Sequence, residues 1–296
     1  MIDLKKIKPD VREVEDMENV IYDKEWLKIA SPKIDLYYMY RDLAENKEDR
    51  QKIIGNDLRY DITVFPPIML GKEFNKTLGH DHPIVPGTSI TYPELYEVLE
   101  GEAIFLLQDS HDEDIKDVFA VSAKKGDKVI ILPNYEHLII NPTDKELKTC
   151  NWICRSFGSF IYKPFRARHG FCYYAINDPS TPFGTSWIKN ENYEKIPDLR
   201  FDKPNNFYSF DLPKDQPIYK LVNNLEKLNF LVEPQKYEWK PRKVAFGDKR
   251  GKYGDVAEPR SQCSALHGAS LADLPRTNFA GVVELVDTQR SGRCLA

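Results

Sequence analysis

Cysteine is scarce in this chain, with five in 296 residues, and their odd number and irregular spacing argue against a disulfide-built secreted scaffold. They read as reduced thiols. Long apolar runs are missing too: the longest, 103–107 and 129–132, fall far short of the roughly 18–20 residues that a membrane helix needs. The first residues, Met1-Ile-Asp-Leu-Lys-Lys, carry no apolar leader, so no membrane partner is expected and the cytoplasm is the expected location. Nor is there an excess of positive charge. Lys and Arg total 42 against 46 Asp and Glu, for a formal charge of −4, which speaks against a nucleic-acid partner. Internal repeats and low-complexity tracts are absent. What is present is a 41% hydrophobic content, enough to bury a sizeable core.

One further absence is local. All 28 lysines lie at or before Lys252, no isoleucine follows Ile218, and no tyrosine follows Tyr253. The remaining stretch, 254–296, is rich in Ala, Ser, Leu and Arg and holds Cys263 and Cys294. It reads either as a natural tail of biased composition or as a fusion scar, readthrough or misplaced gene end, the second being preferred. It is set aside from fold reasoning. Length alone admits one large domain or two small ones. The texture suggests an N-terminal extension (1–32), a strand-rich barrel (33–176), a C-terminal extension wrapping it (177–257) and an atypical tail (258–296).

The first extension has spaced apolar positions compatible with a short helix around 11–22. In the body, short β-rich runs alternate with Gly, Pro, Asn and Asp. Residues 60–69 read as a strand ended by a Pro pair, and 94–108 as two strands bent at Gly101. Segments 128–132, 136–140, 149–157 and 170–176 supply four more. Strands this dense, without intervening helices, predict a mainly β barrel or sandwich. Beyond them, 218–231 reads as one helix.

Five of the six histidines fall between residues 80 and 169, two of them as His80-Asp81-His82. Residues two apart on a strand share a face, so both imidazoles can meet one ion. A divalent first-row metal also wants a carboxylate. Glu94 is the candidate; Glu100 shares its parity and Glu97 faces the other way. His137 follows a Gly turn, a strand and a Pro turn. The combination of H-x-H, Glu94 with six residues before Gly101, and G-x6-P-x3-H-x3-N from Gly126 to Asn141 resembles the two-part motif of the cupin superfamily. That resemblance implies a double-stranded β-helix with one divalent transition metal per subunit on His80, His82, Glu94 and His137. Fe2+ is the first choice, with Mn2+, Ni2+ or Zn2+ as others.

Thr77-Leu-Gly79-His80-Asp-His82, then Glu94-Leu-Tyr96 and Gly101, with Thr63 in an earlier strand, resembles more narrowly the cupin-type glucose-6-phosphate isomerase family. The resemblance covers about 35–176. It implies a homodimer that interconverts glucose 6-phosphate and fructose 6-phosphate, with Thr63, Thr77 and the Gly79 backbone on the sugar phosphate. It further implies Glu94, Tyr96 and His137 in the chemistry. Glu94 would shuttle the proton, unless hydrogen passes directly between C2 and C1. Tyr96 would also touch substrate. Eleven residues separate His82 from Glu94, where the family usually has about six. The family's late His-x-Tyr pair has no clean counterpart; His169 and Tyr173 are the nearest candidates. Upstream, Tyr40 is a separate candidate for a substrate contact, in a Tyr cluster of a kind that more often packs. Rival readings are another metallocupin, such as a dioxygenase or a different sugar-phosphate isomerase, and a non-catalytic sugar-binding cupin. His111 reads as part of a solvated acidic loop, and Cys150, Cys154 and Cys172 as buried thiols.

Overall fold

The chain divides into Met1–Tyr253 and Gly254–Ala296, and the computed structural model describes residues 2–109, 114–181, 184–204, 210, 212 and 215–239. His111, His267 and the tail set apart above lie outside the described residues. Among the described residues there are fourteen strands, beginning with β1 (Asp10–Glu13), β2 (Asp35–Tyr40), β3 (Leu58–Phe65), β4 (Met69–Leu70), β5 (Glu73–Lys76), β6 (Glu94–Glu100) and β7 (Glu102–Asp109). They continue as β8 (Asp117–Lys124), β9 (Lys128–Ile131), β10 (Glu136–Asn141), β11 (Leu147–Cys154), β12 (Tyr173–Asn177), β13 (Thr185–Lys189) and β14 (Arg200–Asp202).

The pairing is nested. β7 pairs antiparallel with β8, β6 with β9, β5 with β10, and β3 with β11. Such concentric pairing describes one long two-stranded ribbon centred on the β7–β8 connection. Successive strand pairs go to opposite sheets, so the ribbon is wound. Its turns are then stitched together by β10–β7 in one sheet and β11–β6 in the other. The result is two sheets, β1-β2-β3-β11-β6-β9 and β13-β12-β5-β10-β7-β8-β14. This is the mainly β, double-stranded β-helix expected from the sequence.

Alternation gives the first sheet two working faces. Phe65, Tyr96 and Val98 join the core between the sheets, while Tyr60, Ile62, Leu95, Cys150 and Trp152 point outward into a second apolar layer. Among the described residues the helices are α1 (Val14–Met17), α2 (Lys24–Leu27), α3 (Lys47–Gly55), α4 (Lys163–Ala167) and α5 (Asn229–Val232). The outer layer is closed by Ile53 of α3 and by the chain around 218–232, which includes α5.

The chain ends depart from the sequence expectation. Instead of a helix over 11–22, residues 10–13 pair with β2 and only one helical turn follows. Instead of one helix over 218–231, there are 3-10 turns at Ile218–Asn223 and Leu225–Leu228 and then α5. One contact bears on the second difference. The Ile218 carbonyl accepts the Trp152 indole N–H (2.8 Å), competing for an oxygen that an α-helix would give to Val222, while the Ile218 N–H, unpaired in any helix starting there, donates to Glu97 (2.6 Å). Asn224, at φ −154°, then breaks the run.

Gly101, at φ +79°, makes the bend between β6 and β7, and a Cβ there would sit 2.6 Å from the Glu146 carbonyl oxygen. Gly101→Ala is therefore expected to cost about 1–3 kcal/mol in denaturant unfolding, from a disfavoured φ plus a backbone clash. A loss under roughly 0.5 kcal/mol would contradict this account of the bend.

Candidate metal centre

The site begins with backbone pairing. His80 and His137 exchange N–H···O=C bonds of 3.1 Å in both directions, extending the β5–β10 ladder by one bridge and bringing their rings to 4.4 Å. His82 follows two residues on. Glu94 opens β6 in the facing sheet, opposite Ile131. Its Oε2 lies 3.2 Å from His82 Nε2 and 3.3 Å from His137 Nε2, and His80 Nε2 is 3.2 Å from His82 Nε2. One ligand atom from each of the four residues falls within 4.8 Å of all the others.

The donor set fits a cation. His82 Nδ1 is 2.7 Å from the Tyr92 carbonyl, which can only accept, so the proton sits on Nδ1 and Nε2 turns its lone pair inward. Three imidazoles and a carboxylate, all but His80 nearly fully buried, suit a divalent first-row metal. Burial, reinforced by the neighbouring His137 and His82, lowers the His80 pKa well below that of free histidine. Burial lowers that of His137 as well, although Glu94 works against it. Burial pushes the Glu94 carboxyl up, but its contacts with His137 and His82 together outweigh this and hold it ionised. The eleven-residue stretch between His82 and Glu94 carries Tyr92, whose ring stacks on Phe157, which in turn stacks on His82.

A cavity of about 550 Å³, counted out to its open mouth, lies beside the cluster. Thr63, Thr77, Gly79, Tyr96, His80, Glu94 and His137 all line it; His82 stands behind. The Tyr96 hydroxyl is 3.3 Å from His137 Nε2, and burial holds its pKa well above the ordinary phenol value. Thr77 Oγ1 already accepts the Ile139 N–H (3.0 Å). Gly79, at φ +83°, lies so close to Phe171 that a Cβ would meet that ring at 2.3 Å.

Three expected contacts lie elsewhere. His169 is exposed, with Nδ1 3.1 Å from the Asn19 carbonyl. The Tyr173 hydroxyl donates to the Pro197 carbonyl (2.9 Å), and its ring belongs to the core. Tyr40 points to the outer layer, because the inward face of β2 carries Tyr37 and Met39. Glu97 also faces outward. In their place the cavity gains Tyr37, Arg41, Asp61, Asn151, Phe160 and Tyr162. Asp81 and Ile161 exchange backbone hydrogen bonds of 3.1 and 3.0 Å, which hold Phe160 and Tyr162 over the cluster. The Phe160 ring centroid is 4.2 Å from that of His80. The period-two spacing of these two aromatics was the available signal.

A wound β-ribbon holding three histidines and a glutamate defines a cupin with a candidate metal site. Comparison with known proteins narrows this. The family model for glucose-6-phosphate isomerase matches residues 11–194. The glucose-6-phosphate isomerase of Thermococcus litoralis is 30% identical over 144 residues, 48% of this chain and 67% of that protein. That of Pyrococcus furiosus is 31% identical over 140 residues, 47% of this chain and 66% of that one. The chain thus spans about two thirds of the relatives it matches. An oxalate oxidase structure overlaps 37% of this chain and 47% of its own at 15% identity and a TM-score of 0.29. A Lactobacillus farciminis oxalate decarboxylase overlaps 51% and 32% at 14% identity and a TM-score of 0.32. The chain belongs to the glucose-6-phosphate isomerase family of cupin type.

The buried imidazoles set a pH dependence for the metal-stripped protein. Unfolded histidine binds a proton near pH 6.5, whereas His80 and His137 resist it when folded, so the unfolded state holds more protons below that pH. The depressed Glu94 adds the same sign below its ordinary value of 4.5. Urea unfolding should show stability falling as pH drops from about 7 to 5, less steeply in His80→Ala. Stability that rises over that range would refute the protonation states assigned here.

Proposed function

We propose that the protein is a metal-dependent aldose–ketose isomerase interconverting glucose 6-phosphate and fructose 6-phosphate. The observation that carries this reading is that His80, Glu94 and His137 of the four-residue cluster line one cavity together with Thr63 and Thr77. Aldose–ketose exchange moves hydrogen between C1 and C2 of the open-chain sugar, and a divalent ion on the four ligands would supply Lewis acidity to the two adjacent oxygens. The protein's own groups do the rest. Glu94, ionised and lining the cavity, is the group to carry the proton from one carbon to the other. Tyr96, kept neutral by burial, offers a hydroxyl to the oxygen on which charge develops. Phe160 and Tyr162 exclude water from above. Thr63 and Thr77 line the wall for the rest of the sugar phosphate. If the hydrogen instead passes directly between C2 and C1, Glu94 serves as a ligand alone.

For the metal we favour Fe2+, with Mn2+, Ni2+ or Zn2+ compatible with the same N and O donors. A homodimer and a cytoplasmic location complete the proposal. The buried free thiols Cys150, Cys154 and Cys172 agree with a reducing compartment.

A coupled assay from fructose 6-phosphate tests the reading. Chelation should abolish turnover, and Fe2+, Mn2+ or Ni2+ should restore it. His137→Ala should lower kcat/KM by at least about 100-fold, since removal of one ligand typically costs that much or more. Oxygen consumption without sugar-phosphate turnover would point to a dioxygenase instead. In deuterated solvent, label in the product marks proton shuttling by Glu94; its absence marks direct transfer between the carbons.

A further inference from the structure

Among the described residues lining the cavity, Arg41 is the one Lys or Arg. It follows β2 on the inward face of Tyr37 and Met39, and its guanidinium carbon lies 5.7 Å from the Phe160 ring centroid. Nε donates to Asp10 (3.0 Å), a carboxylate whose side chain is 68% exposed, Nη2 lies 3.0 Å from Met39 Sδ, an uncharged acceptor, and Nη1 stands 3.6 Å from Asp61. Asp61 is already claimed: Arg59 Nε lies 3.1 and 3.0 Å from its two oxygens, Arg59 Nη2 lies at 2.9 Å, and the Asp42 N–H donates at 2.8 Å. Arg59 also reaches to 5.9 Å of the Phe160 ring. Two guanidiniums therefore share one buried carboxylate beside the cavity. The remaining positive charge is met only by a surface aspartate, which water screens.

That charge, in a cavity also lined by Thr63 and Thr77, suits a dianion. We propose that Arg41 is the charge anchor for the substrate's phosphate, leaving Asp10 to engage it. This rests on the sugar-phosphate reading above. A guanidinium can present two parallel N–H groups to phosphate oxygens, a stronger contact than an exposed ion pair.

The test uses the metal-loaded enzyme and Arg41→Gln, Arg41→Lys and Asp10→Asn variants, with melting curves to verify folding. Arg41→Gln should raise the KM for fructose 6-phosphate by about 10- to 100-fold, the range for one charged hydrogen-bonding group. Arg41→Lys should fall between it and wild type. Asp10→Asn, which removes the competitor, should leave that KM unchanged or lower it by up to about five-fold. Calorimetry with inorganic phosphate and with unphosphorylated fructose separates anchor from scaffold. Phosphate binding should be lost in Arg41→Gln, while fructose binding changes less than about two-fold. Equal losses for fructose and fructose 6-phosphate, or an Asp10→Asn defect matching Arg41→Gln, would overturn the proposal. So would an unchanged KM in Arg41→Gln. If wild type neither binds nor converts fructose 6-phosphate, the isomerase reading fails. Arg41 is then judged on inorganic phosphate alone, where retention of binding by Arg41→Gln overturns it.

Discussion

Packing a carboxylate and three imidazoles into a space less than 5 Å across, away from water, is the constraint around which the structure is arranged. A buried ionised carboxylate costs several kcal/mol unless opposite charge or hydrogen bonds compensate it. Glu94 is 1% exposed, and its nearest neighbours are nitrogens of His82 and His137. The fold must therefore hold these groups together rather than let them relax apart. It does so from both sheets: His80 and His137 are locked to each other through reciprocal backbone bonds, whereas Glu94 comes from the sheet opposite. A cation held by the four residues would join the two layers, which would link metal affinity to the stability of the barrel.

Rigidity at Glu94 is secured from outside the barrel. On β6, Glu94, Tyr96 and Val98 look inward while Leu95, Glu97 and Leu99 look outward. A slip of one residue would put Leu95 among the histidines. The outward side chains resist that slip. Glu97 accepts the Ile218 N–H and Trp152 donates to the Ile218 carbonyl, so two neighbouring strands grip one residue of the C-terminal wrap. Residues far from the cavity thus hold the register that selects Glu94 as the inward carboxylate. The long insertion before β6 is compatible with this because register is set by pairing with β9 and β11, not by loop length.

The parts of this arrangement governed by local chemistry were legible in the sequence. His80 and His82 share a face by strand parity, Glu94 and Glu97 are separated by it, and Gly101 marks a bend only glycine tolerates. The parts that depend on distant neighbours were not. The run 218–231 has helical composition, but Trp152 competes for the Ile218 carbonyl that a helix would use. β5 is four residues long and its four side chains are all buried, so it shows no alternation to read. Tyr40 and Tyr37 differ only in the phase of one strand. His169 and Tyr173 have suitable chemistry, yet Asn19 and Pro197 hold them away. Phe160 carries no titratable group, so nothing in its type marked it as a cavity residue.

Phe160 also explains how one cavity can hold two opposite requirements. Its ring packs against the His80 ring in a T-shaped arrangement and also lies under the Arg41 guanidinium, 5.7 Å from the guanidinium carbon. A polar side chain in that position could hydrogen-bond to either group, blunting the histidine's donor nitrogen or the arginine's charge. An aromatic ring does neither: its edge packs on imidazole and its π-face accepts a cation without neutralising it. The cavity is thereby divided into an end for adjacent oxygens and an end for an anion. A sugar phosphate offers these groups at opposite ends of its carbon chain. A ligand lacking the anion would leave Arg41 facing a surface aspartate and forfeit that half of the recognition.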